Sequence, residues 1–173
     1  MSLALRDGLR EEEAVGSAIE DLTVVMTTYV LVVNDVPHVT GVTTASEIID
    51  FLLARRVWVF PKTAPHVKRL EVGDRLIIYV AGRKAGFFLS EMRVASEPQP
   101  VDETLRKQLQ RLGLTWFSQS IKVSAVTKFE PPRPVRPLLS KLKFVSDKQN
   151  YGLYFRQGVR RLEEADARVI VGK

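Results

Sequence analysis

From residue 28 onward the apolar positions fall into short blocks separated by turn-forming residues. The stretch 29–33 (YVLVV) is apolar and largely β-branched, and Asn34, Asp35 and Pro37 close it, which predicts a buried first strand with a turn behind it. Thr44 with Glu47 three residues later has the capping-box spacing, and Ile48, Ile49, Leu52 and Leu53 follow, so a helix runs to about Arg55. Residues 57–60 (VWVF) form a short strand stopped by Pro61. Gly73 and Asp74 signal a turn, and the nearly unbroken apolar run 75–80 after it reads as a strand covered on both faces. Gly82 turns the chain back into an antiparallel partner over residues 86–95, ended by Pro98 and Pro100.

Leu105, Leu109 and Leu112 are spaced for a small helix over 102–112. Residues 118–129 alternate Ile121, Val123 and Ala125 with Lys122, Ser124 and Thr127, the mark of a half-exposed strand, before a proline-rich break at 131–134. Residues 138–142 suggest one helical turn, 151–159 a helix or loop, and 167–171 a closing strand. About six strands with short helices inserted, joined by links mostly too short for a parallel crossover, predict an α+β domain built on a small, partly closed antiparallel barrel.

Residues 4–20 differ, with Leu5, Leu9, Ala14 and Ile19 scattered among charges, a weakly amphipathic helix. Residues 1–27 hold two arginines against six acids, a net of −4, whereas residues 28–173 hold 24 basic and 14 acidic side chains, a net of +10. The division expected is therefore an acidic N-terminal extension over 1–27 and the domain proper over 28–173. Between positions 131 and 161 eight cations face only Asp147. A surface of that kind suits a polyanion, since neutralised phosphates release condensed counterions. It also serves solubility, so charge alone does not decide.

The chain of 173 residues has no cysteine and two histidines, so disulfides, thiolate zinc sites and cysteine nucleophiles are excluded, and no metal site is expected. No apolar stretch approaches the roughly 20 residues needed to span a bilayer, and the N-terminus lacks the apolar core of a secretory signal; a cytoplasmic protein without a membrane partner is expected. Two asparagines and no cysteine lean towards a thermophilic source. Neither GxxxxGK[ST], GxGxxG nor GxSxG occurs, and His38 and His66 both follow prolines in turn-like contexts. His66 could contact phosphate or act as a base at a pocket rim, but an exposed loop residue has the same signature. The sequence offers no catalytic constellation and no cofactor motif. Aromatics interleaved with cations are the better lead: Trp58, Phe60, Tyr79, Trp116, Tyr151, Tyr154 and Phe155 lie near Lys62, Lys68, Arg69, Lys148 and Arg156. A flat π surface holds an unpaired base while cations hold its backbone, although most aromatics of such a domain fill its core.

Taken in order, the first strand ending in Asn34, the Trp58 strand with its proline, residues 70–79 (LEVGDRLIIY), 86–88 (GFF), 94–98 (VASEP), 139–148 (LSKLKFVSDK) and 158–166 (GVRRLEEAD) resemble the EVE family. The likeness covers roughly residues 28 to 171, and the KLKFVSDK segment is its most distinctive piece. EVE domains belong to the PUA-like superfamily, with YTH and ASCH domains as relatives. The resemblance implies a pseudobarrel whose pocket takes a flipped, often modified (methylated) nucleobase from RNA or DNA, with aromatics stacking on it and cations on the flanking phosphates. It implies a base pocket of Asn34, Trp58, Phe60, Pro61, Tyr79 and Tyr151, and phosphate contacts by Lys62, Lys148 and Arg156. Trp58 would stack on the base, Asn34 would pair with its Watson–Crick edge and Tyr79 would wall the pocket. Two positions depart from the family pattern, Val30 after the tyrosine of the first strand and Val59 after Trp58, and both are expected to reshape the pocket.

A non-enzymatic nucleic-acid-binding module is the first reading of function. An enzyme acting on a nucleobase or nucleotide, and a regulator that binds a small molecule or a protein through the same pocket, are the alternatives.

Overall fold

In the computed structural model residues 26–82 and 86–172 are described. The β-branched and aromatic blocks become the strands β1 (Thr28–Val33), β4 (Val57–Pro61), β5 (Arg75–Val80), β6 (Phe87–Val94) and β8 (Phe117–Pro134), with a two-residue β7 (Gln99–Pro100) paired to β8. The helices are α1 (Ala45–Ala54) and α2 (Glu103–Arg111), each opened by a side-chain cap: Thr44 accepts from the backbone N–H of Glu47, and Asp102 from that of Leu105. The proposed helix over 4–20, and with it nearly all of the acidic extension, lies outside the described residues. Met26 and Thr27 are tied in, the Thr27 N–H donating to the Asp74 carboxylate.

The strands form one curled, partly closed sheet in the order β4-β8-β6-β5-β1-β9, where β9 is Val159–Leu162. The sheet is mixed, not wholly antiparallel as expected from the short links: β1 and β5 run parallel, in register from Thr28↔Arg75 to Val33↔Val80. Residues 34–74 supply the long crossover this requires, because within them the chain crosses to the far edge to lay down β4 before returning.

Five local expectations are revised. The closing strand is β9, and residues expected to be extended at 167–171 instead form α3 (Glu164–Val171). The β-branched 169–171 sequence suggested a strand, but Ala167, Ile170 and Val171 share a buried helical face. Asp166, also buried, accepts from the N–H groups of Lys143 and Phe144 at 2.7 and 3.1 Å, tying α3 to the preceding loop. The prolines at 131–134 do not end β8, which continues to Pro134 opposite Phe87. β4 pairs with β8 only as far as Lys122, so beyond that point β8 has a free edge where proline forfeits no ladder hydrogen bond. Residues 151–159 divide into a 3-10 turn, Tyr151–Phe155, and the start of β9; a second 3-10 stretch, Arg136–Lys141, replaces the single turn expected at 138–142. The turn behind β1 is itself a small hairpin, β2 (Val36–His38) and β3 (Gly41–Thr43), standing apart from the main sheet.

Strand alternation sorts the core into two clusters on opposite faces. Tyr29, Leu31 and Val33 of β1 pack with Leu76, Ile78, Met92, Ile121, Trp58 and Phe60 and with Ile48, Ile49 and Leu52 of α1. Val30 faces the other way, with Ile77, Tyr79, Phe88, Val135, Leu142, Phe155 and Ile170 under the 3-10 turns and α3.

Candidate functional site

The sheet is open between its edges, and the opening is where the candidate site lies. A cavity of about 240 Å³ is lined from one side by Val32, Val33 and Asn34 at the end of β1 with Gly158 and Val159, and from the other by residues 58–61 of β4. Ile48 and Leu52 of α1 line it too, and Trp116 and Phe117 stand at the entry to β8. Asn34 is the one polar or charged side chain in this lining apart from the indoles. Its amide makes no hydrogen bond among the described residues, leaving a donor and an acceptor available at the rim.

Trp58 is 6% exposed and Phe60 1%. Both follow from the β4 sequence, a strand buried at its three central positions and paired along its edge with β8, ending at a proline where the sheet opens. Trp58 has no aromatic partner among the described residues, although ring pairs are frequent elsewhere in the fold. Trp116 is nearly half exposed, tilted against Phe117 with 5.2 Å between ring centroids.

Tyr79 does not join this cavity. It belongs to the second core face, where Phe155 stacks on it at 4.0 Å and 16° and Phe88 tilts against it at 5.1 Å. Burial pushes the Tyr79 phenol well up, and Tyr151 adds to the shift, so the group stays neutral. A Cβ at Gly86 would collide with the Tyr79 hydroxyl, which explains why only glycine fits there. Tyr79 does line a second cleft with Tyr151, Gly152, Phe155 and Arg156, and Asn34 borders this cleft as well as the cavity. The structure thus divides the six proposed pocket residues: Trp58, Phe60 and Pro61 on one side, Tyr79 and Tyr151 on the other, and Asn34 between.

The proposed phosphate ligands divide similarly. Lys62 lies in a third cleft with His66, Lys68 and Arg69, and this cleft shares Pro61 and Ala64 with the cavity. His66 adopts a left-handed backbone conformation, φ 67°, and its ring stands 5.9 Å from Tyr29. Arg156 is on the opposite flank. Lys148 lines neither the cavity nor the clefts beside it, and its ammonium donates to the Leu142 carbonyl at 2.6 Å. The family departures separate too: Val59 lines the cavity, whereas Val30, wholly buried in the second core, does not reach it.

Sequence reasoning noticed Trp116 but did not place it at the site. The signal was its position just before the alternating β8 pattern, a strand-end location like that of Trp58. The hydrogen-bonded hairpin behind Asn34 was missed because its strands are three residues long.

Among the described residues no group of His, Cys, Asp or Glu side chains could hold a metal ion, and no helix is long and apolar enough to cross a membrane.

Comparison with curated proteins finds no match. Among solved structures, human THYN1 protein in complex with 5-methylcytosine containing DNA superposes with a TM-score of 0.58 at 12% identity, over 84% of this chain and 96% of that one. The DUF55 domain of human thymocyte nuclear protein 1 gives 0.57 at 10% identity over 84% and 96%. A protein from Pseudomonas putida gives 0.55 at 13% over 84% and 97%. Likeness at these identities establishes the fold, a curled mixed sheet closed part-way into a barrel. The EVE domain model matches residues 53–173, well over half of the sequence, and the chain therefore belongs to the EVE domain family.

Proposed function

We propose that this chain is a non-catalytic nucleic-acid-binding module whose seam cavity receives one flipped base, in modified form, while the clefts on either side hold the phosphates next to it. The observation that carries this reading is the alignment of the three hollows. The uncharged, aromatic cavity lies between a cleft holding Lys62, Lys68 and Arg69 and a cleft holding Arg156, and shares lining residues with both. A ligand matching that pattern has a flat, weakly polar group at its centre and negative charge to both sides, which describes a nucleotide within a strand. Pockets for drug-sized ligands run to roughly 300–1,000 Å³, so a cavity of 240 Å³ suits a group the size of a single nucleobase.

Trp58 supplies the stacking surface, its face not being taken by another ring among the described residues, and Asn34 supplies the hydrogen bonds to the base edge. A methyl mark adds only apolar surface, which Val59, Ile48 and Leu52 are suited to meet. One methyl contributes about 1–3 kcal/mol of discrimination in an apolar pocket. The neighbouring THYN1 structure holds 5-methylcytosine-containing DNA, which makes that base the first probe.

The test is fluorescence anisotropy with single-stranded and duplex oligonucleotides, each unmodified or carrying one 5-methylcytosine, at two salt concentrations. Salt-sensitive binding that tightens with the methyl mark is the expected result. No binding at low salt to any of these, or binding indifferent to both salt and base, would reject the proposal.

A further inference from the structure

Five large hydrophobic side chains are exposed among the described residues: Val39, Val42, Val72, Trp116 and Leu153. Single exposed apolar residues are ordinary, but their distribution here is uneven. Val72 precedes β5, at the end of the sheet remote from Asn34. Trp116 lines the cavity, Leu153 sits in the 3-10 turn beside the Arg156 cleft, and Val39 and Val42 belong to the hairpin β2–β3 that springs from Asn34 and Asp35.

The hairpin has unusual properties for a surface ribbon. Its residues 36–43 (VPHVTGVT) carry no formal charge in a chain that is 27% charged. Val39 is completely exposed, in the two-residue turn between His38 and Gly41, where Asn, Asp or Gly is the common choice. An isolated two-stranded hairpin is marginal in water. This one is tied to the body by a relay: the Thr40 hydroxyl and His38 Nδ1 lie 3.0 Å apart, His38 Nε2 and Thr43 Oγ1 lie 3.0 Å apart, and the Thr43 hydroxyl donates to the Leu112 carbonyl at 2.6 Å. Gly113 packs so closely under the His38 ring that a Cβ would lie 2.7 Å from it. The Asp35 carboxylate, at the hairpin's base, also accepts from the first N–H of α1. Val36 is the contact between ribbon and cavity, since it lines the cavity wall.

We propose that the tip of this hairpin, Val39 above all, is a wedge that enters the base stack of a duplex at the position vacated by the base held in the seam cavity. The inference rests on the nucleic-acid reading of that cavity and adds a duplex substrate to it. A base rotated out of a duplex leaves a gap whose neighbours have lost their stacking, at a cost of a few kcal/mol. Apolar side chains inserted between base steps offset such losses. A three-residue ribbon rises about 10 Å, and the major groove admits a two-stranded β-ribbon. A neutral, anchored ribbon with a branched apolar tip, rooted at the rim between two cation-bearing clefts, has the chemistry for that position. A phosphate-contacting loop would instead carry lysine or arginine.

The experiment compares wild-type protein with Val39→Ser and Val39→Leu on oligonucleotides bearing one 5-methylcytosine, as a single strand and as a duplex with 2-aminopurine beside the orphaned partner base. At a fully exposed turn position these substitutions change stability by at most about 0.5 kcal/mol, so folding does not confound the result. The expected outcome is a loss of about tenfold in duplex affinity for Val39→Ser, an unchanged single-strand affinity, and retention of duplex binding by Val39→Leu. The 2-aminopurine signal, bright when unstacked, should rise with wild type and less with Val39→Ser. Equal duplex binding by wild type and Val39→Ser overturns the wedge while leaving the cavity reading intact. Wild type that binds neither single strand nor duplex overturns the cavity reading and the wedge with it.

Discussion

The two faces of the sheet carry comparable aromatic residues at comparable places, and they differ in who supplies the partner. Tyr79, near the end of β5, is stacked by Phe155 at 4.0 Å, tilted against Phe88 and closed over by Gly86. Trp58, on β4 at the other face, borders a void of about 240 Å³ and pairs with no other ring among the described residues. One aromatic is therefore stacked by another ring of the chain, and the other borders an open cavity. Burial alone does not reveal this, since the two residues are 2% and 6% exposed. What distinguishes them is the presence of a partner ring and the openness of the sheet edge beside them.

The sharpest way to break the comparison is to create on the Tyr79 side the void that exists beside Trp58. Phe155→Ala removes a buried ring in contact with Tyr79, Phe88 and Phe144 and is expected to cost about 3–5 kcal/mol, read from urea unfolding. Preference for the methyl mark per folded molecule should be kept, because Phe155 does not line the cavity. Trp58→Ala should do the reverse: a smaller loss of stability, because part of the ring surface already faces empty space, but loss of base preference. Stacking on an aromatic is worth about 1–3 kcal/mol per base by alanine substitution, so affinity for the marked strand should fall by that amount. If Trp58→Ala is the more destabilising of the two and leaves selectivity untouched, the assignment of roles to the two faces is inverted.

Cations divide along the same line and give the next smaller effect. Lys62→Ala and Arg156→Ala should each weaken marked and unmarked strands alike and lower the slope of log affinity against log salt by about 0.7 on single strands. Lys148→Ala should leave that slope unchanged, because its ammonium is engaged with the Leu142 carbonyl, and should instead cost about 1 kcal/mol of stability. A slope lowered by Lys148→Ala and not by Lys62→Ala would move the phosphate track off the two clefts.

How much of this was legible in the sequence depends on the range of the interaction. Strands such as β5 and helices such as α1 follow from local pattern and caps, and both form where expected. The direction of β1 against β5 did not, since it depends on the chain leaving for the far edge at β4, a choice made by packing. Nor did the helical state of residues 167–171, where β-branched residues lost to the burial of Ala167 and Ile170 and the tie from Asp166. Of the proposed pocket residues, Trp58, Phe60, Pro61 and Asn34 stand at strand ends before a proline or a turn, and these four line one cavity. Tyr79 has the same local signature, and only the Phe155 ring, 76 positions later, shows that it is filled core. Lys148 likewise looks like a free cation until the Leu142 carbonyl is brought to it.

The smallest expected effect concerns Trp116, and it decides where the base lies. The chain has two tryptophans, so Trp116→Phe leaves Trp58 as the sole indole reporter, and Trp58→Phe leaves Trp116. Trp116 lines the cavity but is nearly half exposed, and replacing it by a ring of similar character should alter affinity by no more than about 0.5 kcal/mol. The quenching should nonetheless separate cleanly. With Trp116→Phe, addition of the methylated strand should still quench emission more than the unmethylated strand does, because the base stacks on Trp58. With Trp58→Phe, any residual quenching should be indifferent to the methyl mark, as expected for a neighbouring nucleotide brushing the exposed indole at the mouth. The opposite pattern, methyl-dependent quenching that follows Trp116, would put the base on the outer surface and leave the seam cavity without a ligand.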